Sequence, residues 1–323
     1  MDLNIIHNMD CLEGLKRLPD NSVNLILIDP PYNIAKASWD KWKTVEAYVE
    51  WMGLVFKECE RVLAPNGSFY FWHNDFLQIA ELQHWIYKNT AFQFNSFIIW
   101  DKGDFRALSW KNPSDKSKLR SWFNTCEFCL FYTFQDGTGL EKVMLDVNNF
   151  KTLRNYFEQL QKYIGVSKKI ILEKVGQRAD HCFRWGSTQW DLPTEETYNE
   201  LINVFKIDEF DGFRSYESLR REYEALRQEY EALRYVHNLE PNHKALWTSN
   251  ERNSGKYHPT QKPLDLMEKI IRVSSREGDV VLDCFGGSGS TFVACKRNNR
   301  NFIGFEREKK YVDIAYERLE KEA

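Results

Sequence analysis

The spacing of hydrophobic and polar positions changes several times along the chain, and each change marks an element. Asn24–Asp29 (Asn-Leu-Ile-Leu-Ile-Asp) is a continuous aliphatic run, the pattern of a parallel strand buried on both faces. Asn4–His7, Ser68–Trp72, Ser96–Trp100, Glu127–Thr133, Asp279–Cys284 and Asn301–Glu306 also read as strands. Apolar residues at helical spacing over Tyr48–Leu63 predict a helix, stopped by Ala64-Pro65-Asn66-Gly67. Phe76–Asn89, Ser290–Arg297 and Lys309–Lys321 predict further helices. Strands alternating with helices imply an α/β fold with a doubly wound, mostly parallel, seven-stranded sheet.

The middle of the chain breaks this alternation. From about Phe150 to Asn238 the strand signal fades, and Lys151–Ile164, Ser167–Val175, Gln177–Trp185 and Thr194–Phe205 each suit a short helix. A period of seven follows, with Tyr216, Tyr223, Tyr230 and Leu219, Leu226, Leu233 on one stripe among Glu and Arg. Packing on its own chain and a homodimer seam both satisfy such a stripe. The expected division is a first sheet half at 1–149, a helical insertion at 150–242 and a second sheet half at 243–323.

Composition narrows the classes. The chain has 323 residues, 42% hydrophobic and 28% charged, enough apolar material for a core and against wholesale disorder. Runs such as Val23–Ile28 are too short to cross a bilayer, and the first residues carry no basic and apolar leader pattern. Seven cysteines in this length do not make a disulfide framework, which points to a reducing cytoplasm. The net charge of −3 excludes a wholly basic nucleic-acid binder, but the charge is uneven. Lys102–Arg120 holds six Lys/Arg against two Asp, and Lys151–Trp190 holds eight against three acids. Asp191–Asn242 is acidic, with six against thirteen. The basic segments could track phosphates, although solvated faces produce such runs too.

Two stretches carry candidate chemistry. Asp29-Pro30-Pro31-Tyr32 follows the aliphatic strand directly, where ligands bind in open α/β sheets. Asp29 offers a carboxylate acceptor, Pro30 a free carbonyl and Tyr32 a flat face. Two acceptors beside an aromatic platform suit an exocyclic amine on a planar base. The second stretch, Asp283-Cys284-Phe285-Gly286-Gly287-Ser288-Gly289-Ser290-Thr291, lies between a strand and a helix. Its glycines admit close backbone approach, and the helix start offers free N–H groups. Ser290 stands where a P-loop needs Lys. Glu306, at the end of the next strand, suits a ribose diol.

Asp29-Pro-Pro-Tyr32 together with the Phe-Gly-Gly-Ser-Gly-Ser turn resembles the S-adenosylmethionine-dependent DNA amino-methyltransferases. With the Asp-Pro-Pro-Tyr motif first and the glycine motif last, the order resembles their beta class. His258-Pro259-Thr260-Gln261-Lys262-Pro263 resembles the motif before the cofactor loop, and Asn8-Met9-Asp10-Cys11 the segment whose acid contacts the cofactor adenine. The resemblance covers about 1–133 and 243–323. It implies a Rossmann-like methyltransferase fold with the two motif strands side by side. It also implies methyl transfer to N6 of a flipped adenine in double-stranded DNA by Asp29, Pro30 and Tyr32. The implied cofactor residues are Asp10, Asp29, Lys262, Asp283, Phe285, Gly287, Ser288, Gly289, Thr291 and Glu306. Tyr32, with Lys36 and Trp39 in a lid over Asn33–Trp42, would hold the base. Cytosine-N4 methylation is the rival, in which Ser more often precedes Pro-Pro-Tyr. A DNA-binding regulator with an inactive fold is a third reading, against which the intact motifs argue. A cognate restriction endonuclease is an expected partner.

Cys126 and Cys129 form a lone C-x-x-C whose nearest partners, His181 and Cys182, lie at the wrong spacing, so no metal is expected. Gly165–Trp185 reads as a helix-turn-helix, with Arg178 and Arg184 on a second helix facing bases or phosphates.

Overall fold

The computed structural model describes residues 1–35, 40–103, 125–134, 150–187, 189–233, 235–238, 244–249, 257 and 261–322. The chain divides into two compact units, Met1–Gly137 with Tyr235–Ala323, and Thr138–Arg234. Among the described residues, no helix is long and apolar enough to cross a membrane.

The first unit is built on β1 (Ile5–Asn8), β2 (Val23–Ile28), β3 (Leu63–His73), β4 (Gln93–Asp101), β5 (Cys126–Thr133), β6 (Leu246–Thr248), β7 (Val280–Asp283) and β8 (Asn301–Glu306). They form one eight-stranded sheet in the order β1-β8-β7-β2-β3-β5-β4-β6. The doubly wound, mostly parallel class holds: β5 alone runs against its neighbours, pairing antiparallel with β3 and β4. The strand beyond the expected seven is β6. Its three residues are too few to show a period, and pairing with β4 sets its place.

Helices cover both faces, and β2 shows why. Ile26 and Ile28 enter a core with α2 (Val45–Val62) and α3 (Phe76–Asn89), through Met52, Phe56 and Leu82. Leu25 and Leu27 enter a second core through Met267, Ile270 and Phe292. The pleat sends neighbours to opposite faces, and both faces are covered, so the apolar run is continuous. A short α1 (Cys11–Leu15) begins at Asp10, which caps it by accepting from Leu12 N–H.

Ala64–Gly67 follows the end of α2, as the turn signal implies, yet lies inside β3. Between paired positions β2 advances from Val23 to Leu25 while β3 advances from Leu63 to Ser68, so the turn residues form a bulge.

The second unit holds α4 (Lys151–Ile164), α5 (Lys168–Val175), α6 (Glu195–Phe205) and α7 (Tyr216–Leu233). Their core includes Phe157, Leu160, Ile171, Tyr198 and Leu219. The heptad stripe of α7 packs on it: Tyr223 lies 5.2 Å from Phe150 and Tyr216 lies 6.0 Å from Tyr198, ring to ring. The expected helix at Gln177–Trp185 does not form. Two 3-10 turns, Gln177–Ala179 and His181–Phe183, stand in its place. The turns bury Ala179, Cys182 and Phe183 without a continuous helix, and side chains bond carbonyls around them. Trp190 Nε1 donates to Cys182, and Arg154 donates to Trp185 and Ser187. The helix-turn-helix expectation is therefore corrected, because no second helix is present to enter a groove.

The chain returns to the first unit through α8 (Leu264–Ser274), α9 (Ser290–Arg297) and α10 (Lys309–Glu320), which build the second core.

Candidate active site

The carboxyl ends of four parallel strands lie together, since Ile28 pairs with Phe71, Ile26 with Leu282, and Leu282 with Ile303. The strand carrying the Asp-Pro-Pro-Tyr motif and the strand carrying the glycine motif are thus adjacent, at the place where open α/β sheets bind ligands. Because β5 is antiparallel, its first residues reach the same edge: His73 pairs with Phe128, next to Glu127. Trp100 of β4 pairs with Glu127, which puts Lys102 just beyond.

A hydrogen-bond relay holds the Asp-Pro-Pro-Tyr loop. The His73 Nδ1 accepts from Asp75 N–H at 3.1 Å, so the ring proton sits on Nε2 and is donated to the Tyr48 hydroxyl at 3.1 Å. Tyr48 donates in turn to the Pro31 carbonyl at 2.8 Å. Burial pushes His73 down to about 4, which keeps the relay neutral. The His73 ring also lies 4.7 Å from that of Tyr32. Asp75 caps α3 by accepting from Gln78 N–H, and Gln78 Nε2 donates to the Tyr32 carbonyl.

Asp29, Lys262, Glu127 and Lys102 bring four charged groups together. Lys262 Nζ is 2.6 Å from Asp29 Oδ2 and donates to the Tyr32 hydroxyl at 2.9 Å. Tyr32 donates to Asp29 Oδ1 at 2.5 Å. Glu127 Oε2 lies 3.2 Å from Lys262 Nζ, an ion pair off the hydrogen-bonding direction, and Oε1 pairs with Lys102. Burial pushes Asp29 up, opposed by Lys262, whereas the two lysines hold Glu127 down at about 2 against its burial. Lys262 is held above its usual range, against its own burial, by Asp29 and Glu127.

The glycine turn is organised by two acids. Asp283 Oδ2 accepts from Thr291 Oγ1 at 2.6 Å and Oδ1 from Phe285 N–H at 3.0 Å. Glu306 accepts from Gly287 N–H at 2.8 Å and from Glu308 N–H at 2.7 Å. Burial pushes both carboxyls up, Asp283 to about 7. Gly289 caps α9 at φ +84, and a Cβ there would stand 2.7 Å from that of Ala315.

One cavity joins these parts. It is lined by Asp10, Asp29, Pro30, Tyr32 and Lys262, and by Asp283, Phe285, Gly287, Ser288, Thr291 and Glu306. Gly289, at the start of α9, does not line it. Lys36 and Trp39 lie outside the described residues. Arg178 and Arg184 belong to the second unit: Arg178 pairs with Glu196 at 3.0 Å, and Arg184 with Asp180 and Gln189. Sequence reasoning missed Glu127 and Tyr48, and took Lys102 only as the first residue of a basic segment. A signal existed for Glu127, a lone acid in the otherwise apolar and aromatic run Cys126–Tyr132. Among the described residues no cluster of three or more metal-ligating side chains occurs.

A doubly wound, mostly parallel sheet with an acid-lined cavity at its switch point is a Rossmann-like fold. The profile of a DNA methylase family, of the N6/N4 type, matches residues 23–317. The chain belongs to that family, whose enzymes take their methyl group from S-adenosylmethionine. Among curated relatives it is 27% identical to the Type II methyltransferase M1.MboII of Moraxella bovis, over 98% of this chain and 96% of that protein. It is 25% identical to the Type II methyltransferase M.HpaI of Haemophilus parainfluenzae, over 97% of this chain and 73% of that one. In fold it is similar to the M1.HpyAVI–SAM complex, with TM-score 0.51 and 21% identity, covering 97% of this chain and 98% of that one. It is also similar to the PvuII cytosine-N4-specific DNA methyltransferase, with TM-score 0.54 and 17% identity, covering 97% and 85%.

Proposed function

We propose that this chain methylates N6 of adenine in double-stranded DNA, using S-adenosylmethionine. The observation that carries the reading is a cavity-facing Asp29 whose charge is supported by Lys262 and which stands beside the Pro30 carbonyl. An amino nitrogen conjugated with its ring is a poor nucleophile. Accepting one amine hydrogen at Asp29 and the other at Pro30 favours a tetrahedral nitrogen and frees its lone pair. The nitrogen must shed one proton as it is alkylated, and the Asp29 carboxylate is the adjacent acceptor. Tyr32 supplies a face on which a flipped base can stack. Asp29 where the cytosine-N4 enzymes more often carry Ser supports adenine.

The cavity suits the cofactor. Asp283 is buried and Glu306 half-buried, two acceptors on a glycine turn packed so closely that a Cβ at Gly286 or Gly289 would meet Phe292 or Ala315, and Phe285 adds an apolar wall. Glu306 would hold the ribose hydroxyls, Asp10 the adenine, and Asp283 with Gly287–Gly289 the amino-acid end. When bound, the cofactor supplies a methyl already activated on a sulfonium, so positioning does most of the remaining work. The helical unit would read the target sequence, with Arg178 and Arg184 as candidate contacts on its basic segment. Relatives named as Type II methyltransferases support a cognate restriction endonuclease as a partner.

The test is transfer of tritium from labelled S-adenosylmethionine to unmethylated DNA, followed by digestion to nucleosides. Label in N6-methyl-2′-deoxyadenosine is expected. Label in N4-methyl-2′-deoxycytidine overturns the choice of base, and no label overturns the activity.

A further inference from the structure

Lys262 is 4% exposed, faces the cavity beside Asp29, and has three ammonium hydrogens to place. Asp29 Oδ2 at 2.6 Å and the Tyr32 hydroxyl oxygen at 2.9 Å take two, and Glu127 Oε2 lies 3.2 Å from the nitrogen. The Tyr32 hydroxyl meanwhile donates to Asp29 Oδ1 at 2.5 Å. That hydroxyl therefore satisfies an acceptor on Asp29 and a donor on Lys262 at once. A base amine that takes Oδ1 competes with that hydroxyl, and where the base displaces it Lys262 loses an acceptor in a buried place, where an unmade hydrogen bond is costly.

Adenine and cytosine share the group that repairs this loss. Next to the exocyclic amine, across one ring carbon, each has a ring nitrogen with an in-plane lone pair: N1 in adenine, N3 in cytosine. Asp29 and Lys262 stand side by side as acceptor and donor, the complement of that edge. We propose that Lys262 is a specificity-determining residue that donates a hydrogen bond to the ring nitrogen beside the target amine. The two residues then read the Watson–Crick edge of the flipped base as a pair. The inference rests on the amino-methylating function proposed above. Guanine and thymine present a carbonyl and an N–H in the same two places. Asp29 would meet an oxygen and Lys262 a hydrogen, so both contacts are lost and the site rejects them. Glu127, backed by Lys102, positions the ammonium for this role.

The experiment first maps the recognition sequence from the methylated positions in DNA of a host expressing the full chain. A duplex of that sequence is then made with adenine, 1-deazaadenine or 7-deazaadenine at the target. The first analogue lacks the ring nitrogen beside the amine; the second lacks one remote from it. Single-turnover transfer should fall at least ~10-fold on 1-deazaadenine and less than ~3-fold on 7-deazaadenine. In Lys262→Met the adenine and 1-deazaadenine rates should come within ~3-fold of each other. Equal parental rates on adenine and 1-deazaadenine overturn the inference, as does Lys262→Met keeping the parental ratio. Either result leaves amino-methylation standing, whereas no transfer to the unmodified duplex overturns the function itself. If the mapped base is cytosine, 3-deazacytosine takes the place of 1-deazaadenine. The parental comparison stands alone should Lys262→Met fail to fold.

Discussion

In the sheet unit, Asp29, Lys262 and Asp283 converge on one cavity with Glu127 and Lys102 behind them. In the helical unit, the buried guanidinium of Arg154 donates to the main-chain carbonyls of Trp185 and Ser187, 2.7 and 2.9 Å away, and lies over the Trp190 ring. Both units thus bury charge, but to different ends. Arg154 stabilises a chain reversal: its partners are the half-buried carbonyls of Trp185 and Ser187, the second of which also accepts from Trp190 N–H. The inner strands that carry the site need no such service, because neighbouring strands satisfy one another's backbone. Facing acids held apart only by lysines are costly to bury, and packing alone gives no reason for them. Buried charge paired with backbone therefore marks architecture here, and buried charge paired with charge beside a cavity marks chemistry.

The strongest way to break that contrast is to remove Asp29. Asp29→Ala should lower methyl transfer at least ~10²-fold while calorimetric binding of S-adenosylmethionine largely survives. A near-normal turnover number would end the mechanism proposed for the loop.

Asp283 sharpens the contrast through pH. Burial pushes its carboxyl up to about 7, well above the ~4 of an unfolded aspartate. Between those values the folded chain keeps a proton that the unfolded chain releases. Stability from this group therefore falls as pH rises from ~4 to ~7, by on the order of a few kcal/mol. Asp283→Asn does not titrate and can still accept from Phe285 N–H. Its melting temperature relative to the parent should rise between pH 5 and pH 8. An unchanged difference across that range removes Asp283 as the titrating group.

Much of the sheet unit was legible because its signals are local. The run before Asp29 announced β2, and the two motifs fell at strand ends where the fold brings them together. The charge cluster was not legible, because it depends on strand direction. Glu127 reaches Asp29 only because β5 runs antiparallel, and direction leaves no trace in its sequence. In the helical unit, α4 and the heptad helix followed from periodicity. The segment after Gly176 did not, since the spacing of Ala179, Cys182 and Phe183 is met equally by two 3-10 turns that bury them. Lys262 was legible as part of a motif, but its contact with Asp29 was visible only in three dimensions.

The architectural half of the contrast predicts that Arg154→Met damages the fold and spares the chemistry. Two half-buried carbonyls lose a charged donor, one of them keeping its bond from Trp190 N–H, so urea denaturation should show a loss of ~1–3 kcal/mol. Cofactor affinity of the folded protein should be unchanged. A stable variant with weakened cofactor binding would contradict the division drawn between the units.

The smallest expected effect on stability, and the finest test of the helical unit, is at Arg178. Its partner is Glu196 at 3.0 Å, with both side chains about 70% exposed, so the pair is screened by water and salt. Arg178→Ala should change stability by less than ~0.5 kcal/mol. Any loss of function must then come from DNA. An arginine on a base edge carries ~1–3 kcal/mol of discrimination, whereas one on a phosphate strengthens all sequences alike and steepens the salt dependence. Binding of cognate and scrambled duplexes at several salt concentrations separates the two cases. Relaxed discrimination makes Arg178 a reader of bases, and a uniform loss with a shallower salt slope makes it a phosphate contact. Since the second helix of a helix-turn-helix is replaced by 3-10 turns, either role would belong to a turn rather than to a groove-filling helix. Parental affinity, discrimination and salt slope in both Arg178→Ala and Arg184→Ala would take this segment out of DNA recognition and leave the exposed ion pair as a surface feature.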